Sequence, residues 1–521
     1  LVLLETGQKY GAWYRCAMVQ KLKTLWRNPE ARRVFYALLG GKAIGVGLIL
    51  TAMWALPAYF GHPAHAADAA GTHSECANPL NTAWTLSAAF LVFFMQAGFL
   101  FLEAGFARTR ETVNVLLEGI VDTCLCGALF WAFGFAFMFG SGNGFIGLQY
   151  FFLHGAPEAY GSTGVPIEAF WLFQFAFADT CSTITSGAMV GRTSFAGDLW
   201  YSIGVSGFIY PIFGHWAWGP DGWLNSIHPV PFHDFAGSTV VHTIGGFIAL
   251  AGAMALGPRL GRKFARDGGG IMAGHNMTLA AVGGVILWFG WYGFNPGSTL
   301  SAMDMRGIGR VATNTTLAAC AGGLSALAFI YIRGKYWDCG ITVNGFLSGL
   351  VAITCPCYWV SPTGAFILGA VAGVVCVVSI DLFEFLRVDD PVGAVSVHGV
   401  CGIWGTISLG LFGCGKYGAP GPYGADTSSV VTGLFYGGGT NQLVAQVTGS
   451  FCICGATFFC SLVMMYTLKA LGVLRLSAAR ELAGMDITEH GGPAYPELVP
   501  ADGADPRRDL MRDPALLPTG R

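Results

Sequence analysis

Two runs of this 521-residue chain repeat one arrangement of chemically capable residues. Asp234-Phe-Ala-Gly-Ser-Thr-Val-Val-His242 is followed by Gly245 and Gly246, and Asp390-Pro-Val-Gly-Ala-Val-Ser-Val-His398 by Gly399 and Gly402. In each, an acid stands eight residues before a histidine, at or near the start of an apolar segment. On a helix that spacing carries the histidine roughly 12 Å along the axis. The middle of a hydrocarbon layer about 30 Å thick lies near that depth. One such histidine is as readily structural as functional, but two at matching places point to a shared role. A neutral imidazole offers one donor and one acceptor nitrogen, and burial disfavours its charged form. A facing pair therefore suits holding a small polar solute, or relaying a proton. If the helices run in opposite directions, the runs form an inverted repeat with its working groups at the centre.

The acids read as support. Asp234 can cap the orphan N–H groups of a first helical turn, and it can also attract a cation. Asp389 and Asp390, before Pro391, read as the cap of the second segment. Trp216, Trp218 and Phe294 lie towards one end of their segments. Composition favours an interfacial aromatic belt there over a cation–π site.

Positioning these groups falls to a membrane fold. The chain is 53% hydrophobic and only 11% charged, far below the roughly 25% charged residues of a soluble domain. Its net charge of -2 says little about partners, and no basic block points to nucleic-acid binding. We read an all-α integral membrane protein with eleven apolar spans, at about 82–106, 113–140, 167–190, 196–218, 234–257, 276–298, 308–333, 341–359, 363–386, 393–414 and 440–471. Alternate loops carry most of the basic residues, among them Arg108, Arg192, Arg259, Lys263 and Arg387. That bias predicts an N-out, C-in orientation with two inverted halves of five spans and one span left over. The two histidine runs are then antiparallel.

Residues 1–66 read as an N-terminal extension and a cleaved signal peptide: a basic region, an apolar run over 43–60 and Ala64-His65-Ala66. An additional transmembrane helix is the rival reading, and Met18 is a plausible true start. Residues 67–81 would then be an extracellular or periplasmic N-terminus, 82–475 the transporter domain and 476–521 a cytoplasmic tail. Most of the 15 cysteines sit in apolar runs as small hydrophobes. Cys76, Cys355, Cys357 and Cys414 are near expected outer loops, where one disulfide is feasible. No nucleophile–base set or metal-ligand cluster is evident, so neither an enzyme nor a cofactor is expected.

Together with Gly290-Trp-Tyr-Gly-Phe-Asn-Pro-Gly-Ser298 and Arg387 to Gly402, the first run closely resembles the ammonium transporter family (Amt/Mep/Rh). The likeness extends from about Thr82 to Gly484-Met-Asp-Ile-Thr-Glu-His-Gly491. It implies a homotrimer in the cytoplasmic membrane, with a narrow pore through each subunit for ammonium or methylammonium. By motif, Trp218 and Ser298 resemble the outer recruitment site, which raises the cation–π reading of Trp218 above the belt. Phe294 resembles one ring of the phenylalanine gate, His242 and His398 the paired pore histidines, and Asp234 the supporting acid, with Asp390 its counterpart. Registering on Ile184-Thr185-Ser186-Gly187 puts Cys181 where some members carry the second phenylalanine of gate and recruitment site. Phe177, one turn earlier, is the substitute ring. Asp179 stands where a small neutral residue is usual; we expect its neighbours to satisfy it, the alternative being a bias of the pore towards cations. The implied function is ammonium uptake. The rivals are an ammonium sensor acting through the tail and a partner, and an Rh-type neutral gas channel. The family also allows a PII-type regulator at the tail.

Overall fold

Apolar runs bounded by polar caps fold here into helices, as seen in a computed structural model that describes residues 77–418 and 429–498. Helix α1 is Ala77–Phe106. Helix α2 (Thr112–Leu129) continues through a wide π-type turn, Phe130–Gly134, into α3 (Phe135–Phe139). Two short antiparallel hairpins follow: β1 (Gly142–Asn143) with β2 (Ile146–Gly147), and β3 (Ala159–Tyr160) with β4 (Val165–Pro166). Then come α4 (Ile167–Gly187) and α5 (Phe195–Gly204), the latter joined by the wide turn Val205–Ile209 to α6 (Tyr210–Trp218). The wide turn Ser238–Thr243 opens α7 (Ile244–Leu256). Helix α8 (Met277–Phe294) ends in a 3-10 turn, Pro296–Thr299, before α9 (Met305–Gly334), α10 (Cys339–Thr354) and α11 (Pro362–Leu386). A fourth wide turn, Val395–Val400, opens α12 (Cys401–Phe412). The described part closes with α13 (Asn441–Ala470), α14 (Ala478–Ala483) and α15 (Met485–His490).

Among the described residues, eight helices are long and apolar enough to cross a membrane. The remaining three predicted segments also fold as helix, in α4, α5–α6 and α10, but they depart from that profile for physical reasons. Helix α4 carries Gln174, Asp179 and a run of hydroxyl residues, all buried inside the bundle. Asp198 and several glycines lower the hydropathy of α5–α6. Helix α10 stops at Thr354, short of the expected 359, because Pro356 has no N–H to continue the ladder to the Ala352 carbonyl. The predicted segment from 234 becomes helical only at Ser238, since Gly237 has φ 110°. The proposed signal peptide and start lie outside the described residues.

Small residues set the helix spacing, as expected where lipid is as apolar as leucine. A Cβ on Gly283 of α8 would sit 2.3 Å from the Leu102 nitrogen of α1. Phe90, Val285, Leu324, Leu382, Phe459 and Val463 point outwards, a surface that suits hydrocarbon and would be a liability in water.

Two expectations need correcting. Cys355, Cys357 and Cys414 are free buried thiols, so no disulfide joins them; Cys76 lies outside the described residues. Asp389 does not share the cap with Asp390. Its carboxylate accepts from the Arg259 backbone N–H, Nε and Nη2, each at 2.9 Å, and Arg192 donates to its carbonyl at 2.6 Å. The tail docks close to this clamp. Glu481 accepts from the Leu260 N–H at 2.6 Å, Glu489 from Phe195 at 3.0 Å and Asp486 from Asn114 at 3.0 Å.

Burial alone would lift the pKa of Asp389, but the Arg259 hydrogen bonds and the nearby Arg192 charge bring it below the usual carboxylate value. The folded state therefore favours the ionised form. That stabilisation is complete above the ordinary carboxylate range and is lost as pH falls through the depressed value. Asp389→Ala, which strands Arg259, is expected to cost about 3–5 kcal/mol. Thermal unfolding of the detergent-solubilised protein checks this; an unchanged Tm contradicts it.

Candidate functional site: a histidine pair between two cavities

The two matching runs fold alike. The Asp234 carboxylate accepts four backbone N–H bonds, from Gly237 (3.0 Å), Ser238, Thr239 and Val240 (each 2.9 Å). The Asp390 carboxylate accepts three, from Gly393 (3.0 Å), Ala394 (3.1 Å) and Val395 (2.8 Å). A helix start leaves such donors orphaned, and a buried orphan is costly. Each cap needs a tight reversal, which Gly237 (φ 110°) and Gly393 (φ 82°) allow without a Cβ penalty. Each capped segment then begins with a wide turn, and each wide turn contains the histidine: Ser238–Thr243 holds His242, and Val395–Val400 holds His398.

The wide turns bring the imidazoles together. His398 Nδ1 lies 3.2 Å from His242 Nδ1, with ring centroids 5.2 Å apart. The backbones touch just beside the rings. A Cβ on Gly246 would sit 2.2 Å from the Gly399 nitrogen, so this crossing demands glycine. Further hydrogen bonds brace it: Thr239 to Thr406 at 2.6 Å, and Ser238 Oγ donating to the Val351 carbonyl at 2.7 Å.

Asp234 and Asp390 border different cavities, so the two runs reach the histidines from opposite sides. The cavity beside Asp234 has a volume of about 440 Å³, and Trp218, Phe177, Gln174 and Ser298 line it. Trp218 Nε1 donates to the Asp234 carbonyl at 2.7 Å, which fixes the indole. Ser298 Oγ donates to the Phe294 carbonyl at 2.8 Å, leaving its lone pairs able to accept. Phe177 closes the cavity floor by stacking on Phe294 with centroids 3.9 Å apart. Below, Phe294 and Trp291 both stack on the His242 ring, at 5.4 and 5.1 Å. The cavity beside Asp390 has a volume of about 380 Å³ and reaches Ser396, two residues from His398.

Phe177, Trp218, Ser298, Phe294, His242 and His398 thus follow one another along a single line. Cys181 is fully buried one turn beyond Phe177 and is not among the residues bordering the cavity. The sequence reading missed Trp291, although it lies inside a quoted run, and it missed Gln174. The latter's Oε1 is buried with no hydrogen-bond partner, and a lone amide three residues before Phe177 was the available signal. His242 Nε2 is likewise buried without a partner. Chemically, the arrangement offers a cation an aromatic and oxygen-lined bowl. Beyond a closed aromatic lid it offers a neutral solute a lone imidazole nitrogen.

Comparison with known proteins follows the same line. The sequence profile described as Ammonium Transporter Family matches residues 83–495. The ammonium transporter Amt2 of Archaeoglobus fulgidus is 42% identical over 430 residues, covering 81% of this chain and 89% of that protein. Ammonium transporter 1 member 3 of Solanum lycopersicum is 38% identical over 436 residues, covering 80% and 93%. Among solved structures, a sensor Amt protein aligns with a TM-score of 0.71 at 36% identity, covering 79% of this chain and 98% of that one. Mep2 of Candida albicans aligns with a TM-score of 0.69 at 27% identity, covering 78% and 88%.

Asp234→Asn keeps the shape but turns an amide N–H₂ towards backbone donors that a carboxylate oxygen now satisfies. We expect a loss of about 1–3 kcal/mol for each donor left facing it. Thermal unfolding and the yield of folded protein measure the effect; a wild-type Tm would show that the cap is dispensable.

Proposed function

This chain belongs to the Ammonium Transporter Family and is a multi-pass membrane transporter of ammonium, and from that premise we propose the route its substrate takes. The contact between His242 and His398 beneath the Phe177–Phe294 lid carries the reading. Ammonium is recruited from outside by the ring faces of Trp218 and Phe177 and by Ser298 Oγ. Stripping water from a small cation is costly, and aromatic faces with a few oxygens replace part of that hydration. At or below the lid NH4+ gives up one proton, which crosses separately from the ammonia, and becomes NH3. The neutral molecule passes the imidazoles, which can donate to and accept from it in turn. The lid must swing aside at each passage, since rings 3.9 Å apart leave no gap.

In this reading the chain crosses the membrane eleven times, N-terminus outside and C-terminus in the cytoplasm, with the halves inverted about the histidines. Support comes from the helices over every predicted segment, the basic residues of alternate loops and the two acids bordering different cavities. The family likeness supports uptake at the cell membrane, a homotrimer and a PII-type partner at the tail. A sensor role is the second reading. It is favoured by the docking of Glu481 onto the loop at Leu260 and of Asp486 and Glu489 onto the first turns of α2 and α5, contacts by which the tail can report a change in the bundle.

His242→Ala removes the imidazole that touches both the lid and its partner ring. In proteoliposomes we expect ammonium flux to fall about a hundredfold, or its selectivity over potassium to collapse. Wild-type flux and selectivity would overturn the route. Trp218→Leu should raise the half-saturating ammonium concentration about tenfold while the maximal current holds, since the indole acts in recruitment.

A further inference from the structure

Behind α4, on the side away from the lid, runs a second polar column that this route does not use. Glu103 of α1, Glu118 and Asp122 of α2, Asp179 of α4 and Asp198 of α5 are each at most 5% exposed. None takes part in an ion pair among the described residues. Five negative charges without a cation cannot coexist in that medium, so the set must share protons. Nor do the acids converge as a cage: among the described residues no three of them are grouped to hold a metal. They are strung out, and hydroxyls interleave them.

Ser182 Oγ donates to Asp122 at 2.9 Å, and Ser206 Oγ lies 3.3 Å from Ser182 Oγ. The Tyr201 hydroxyl donates to Asp198, and Ser186 Oγ to Glu103 at 3.2 Å. Several polar atoms of the column are buried without a close hydrogen bond: both Asp179 oxygens, Asp198 Oδ2, Glu118 Oε1 and the hydroxyls of Ser202 and Tyr210, with Gln96 and Thr123 the polar neighbours of Asp179 and Asn114 that of Glu118. Ser202 faces Asp122 from α5. Donors and acceptors of this kind, lodged among hydroxyls on neighbouring helices, are what a hydrogen-bonded chain requires. At its other end the column reaches Asn114, one turn before Glu118. The Asn114 N–H donates to Asp486 of the tail, and its Oδ1 meets His490 Nε2 at 2.8 Å.

We propose that Asp179, Asp122 and Asp198, with the intervening hydroxyls, form a second conduit for protons alone, running beside the histidine route and ending beneath the tail. Each transfer places a proton on one carboxylate oxygen while the other oxygen releases one to the next acceptor. No electrons change hands, and one proton leaves for each that enters. The conduit would carry the proton that ammonium sheds, and so it rests on the proposed splitting of NH4+ into NH3 and H+.

The test uses the full chain in proteoliposomes, wild type against Asp122→Asn and Asp179→Asn. Ammonium-evoked current on a solid-supported membrane reads charge, and an entrapped pH dye reads neutral ammonia flux. We expect the current to fall about a hundredfold while ammonia flux persists. We also expect each variant to lose a protonated-carboxyl band from the infrared spectrum. Full current in both folded variants overturns the conduit and leaves the histidine route standing. Loss of both fluxes together overturns it too, since ammonia and proton would then share one path. Should the variants not fold, the wild type decides: its buried carboxylic-acid bands must be present and must shift in D2O, and absent or unexchanged bands refute the relay.

Discussion

Two imidazole nitrogens 3.2 Å apart, at the crossing of two interrupted helices, are the constraint that the rest of this molecule serves. Two charged rings would repel at that distance. Two neutral ones form one N–H···N bond, with a donor on one ring and an acceptor on the other. Such a bond needs the rings to arrive from opposite sides, and it needs their backbones nearly in contact. The first condition explains the duplicated acid-capped turn. The second explains Gly246, where even a methyl group would force the helices apart.

Holding polar groups in an apolar bundle costs free energy unless each is partnered. Asp234 and Asp390 meet that condition by saturating helix starts, and Asp389 by its clamp with Arg259. Among the buried atoms without a partner are Gln174 Oε1 in the outer bowl, His242 Nε2 beneath the lid and the Asp179 oxygens behind α4. Structure and transport connect at this point, because an unpaired buried donor or acceptor is a place for something that moves. The aromatic lid separates the two regimes. On its bowl side, ring faces and oxygens suit a cation; on the other, one imidazole nitrogen suits a neutral molecule.

Much of this was legible in the sequence, for definite reasons. The paired runs betrayed the histidines because acid, glycine and histidine each answer a separate physical need and seldom recur together at one spacing. Phe177 could be offered beside Cys181 as a gate ring because it lies one helical turn before it, on the same helix face. The limits were equally physical. Adjacent Asp389 and Asp390 look equivalent on paper, and only the approach of Arg259, 130 residues away, sends one carboxylate to a clamp and leaves the other as the cap. The wide turns have no residue signature, since they arise where helices are pressed together. The acids behind α4 come from four helices, so no local window shows them as a line.

The most direct examination is solid-state NMR of the protein in lipid bilayers with ¹⁵N-labelled histidine. A scalar coupling across the N–H···N bond between Nδ1 of His242 and Nδ1 of His398 is the result this account predicts. If the two signals instead report separate rings, each bonded only to water or backbone, the histidines do not meet and the account fails.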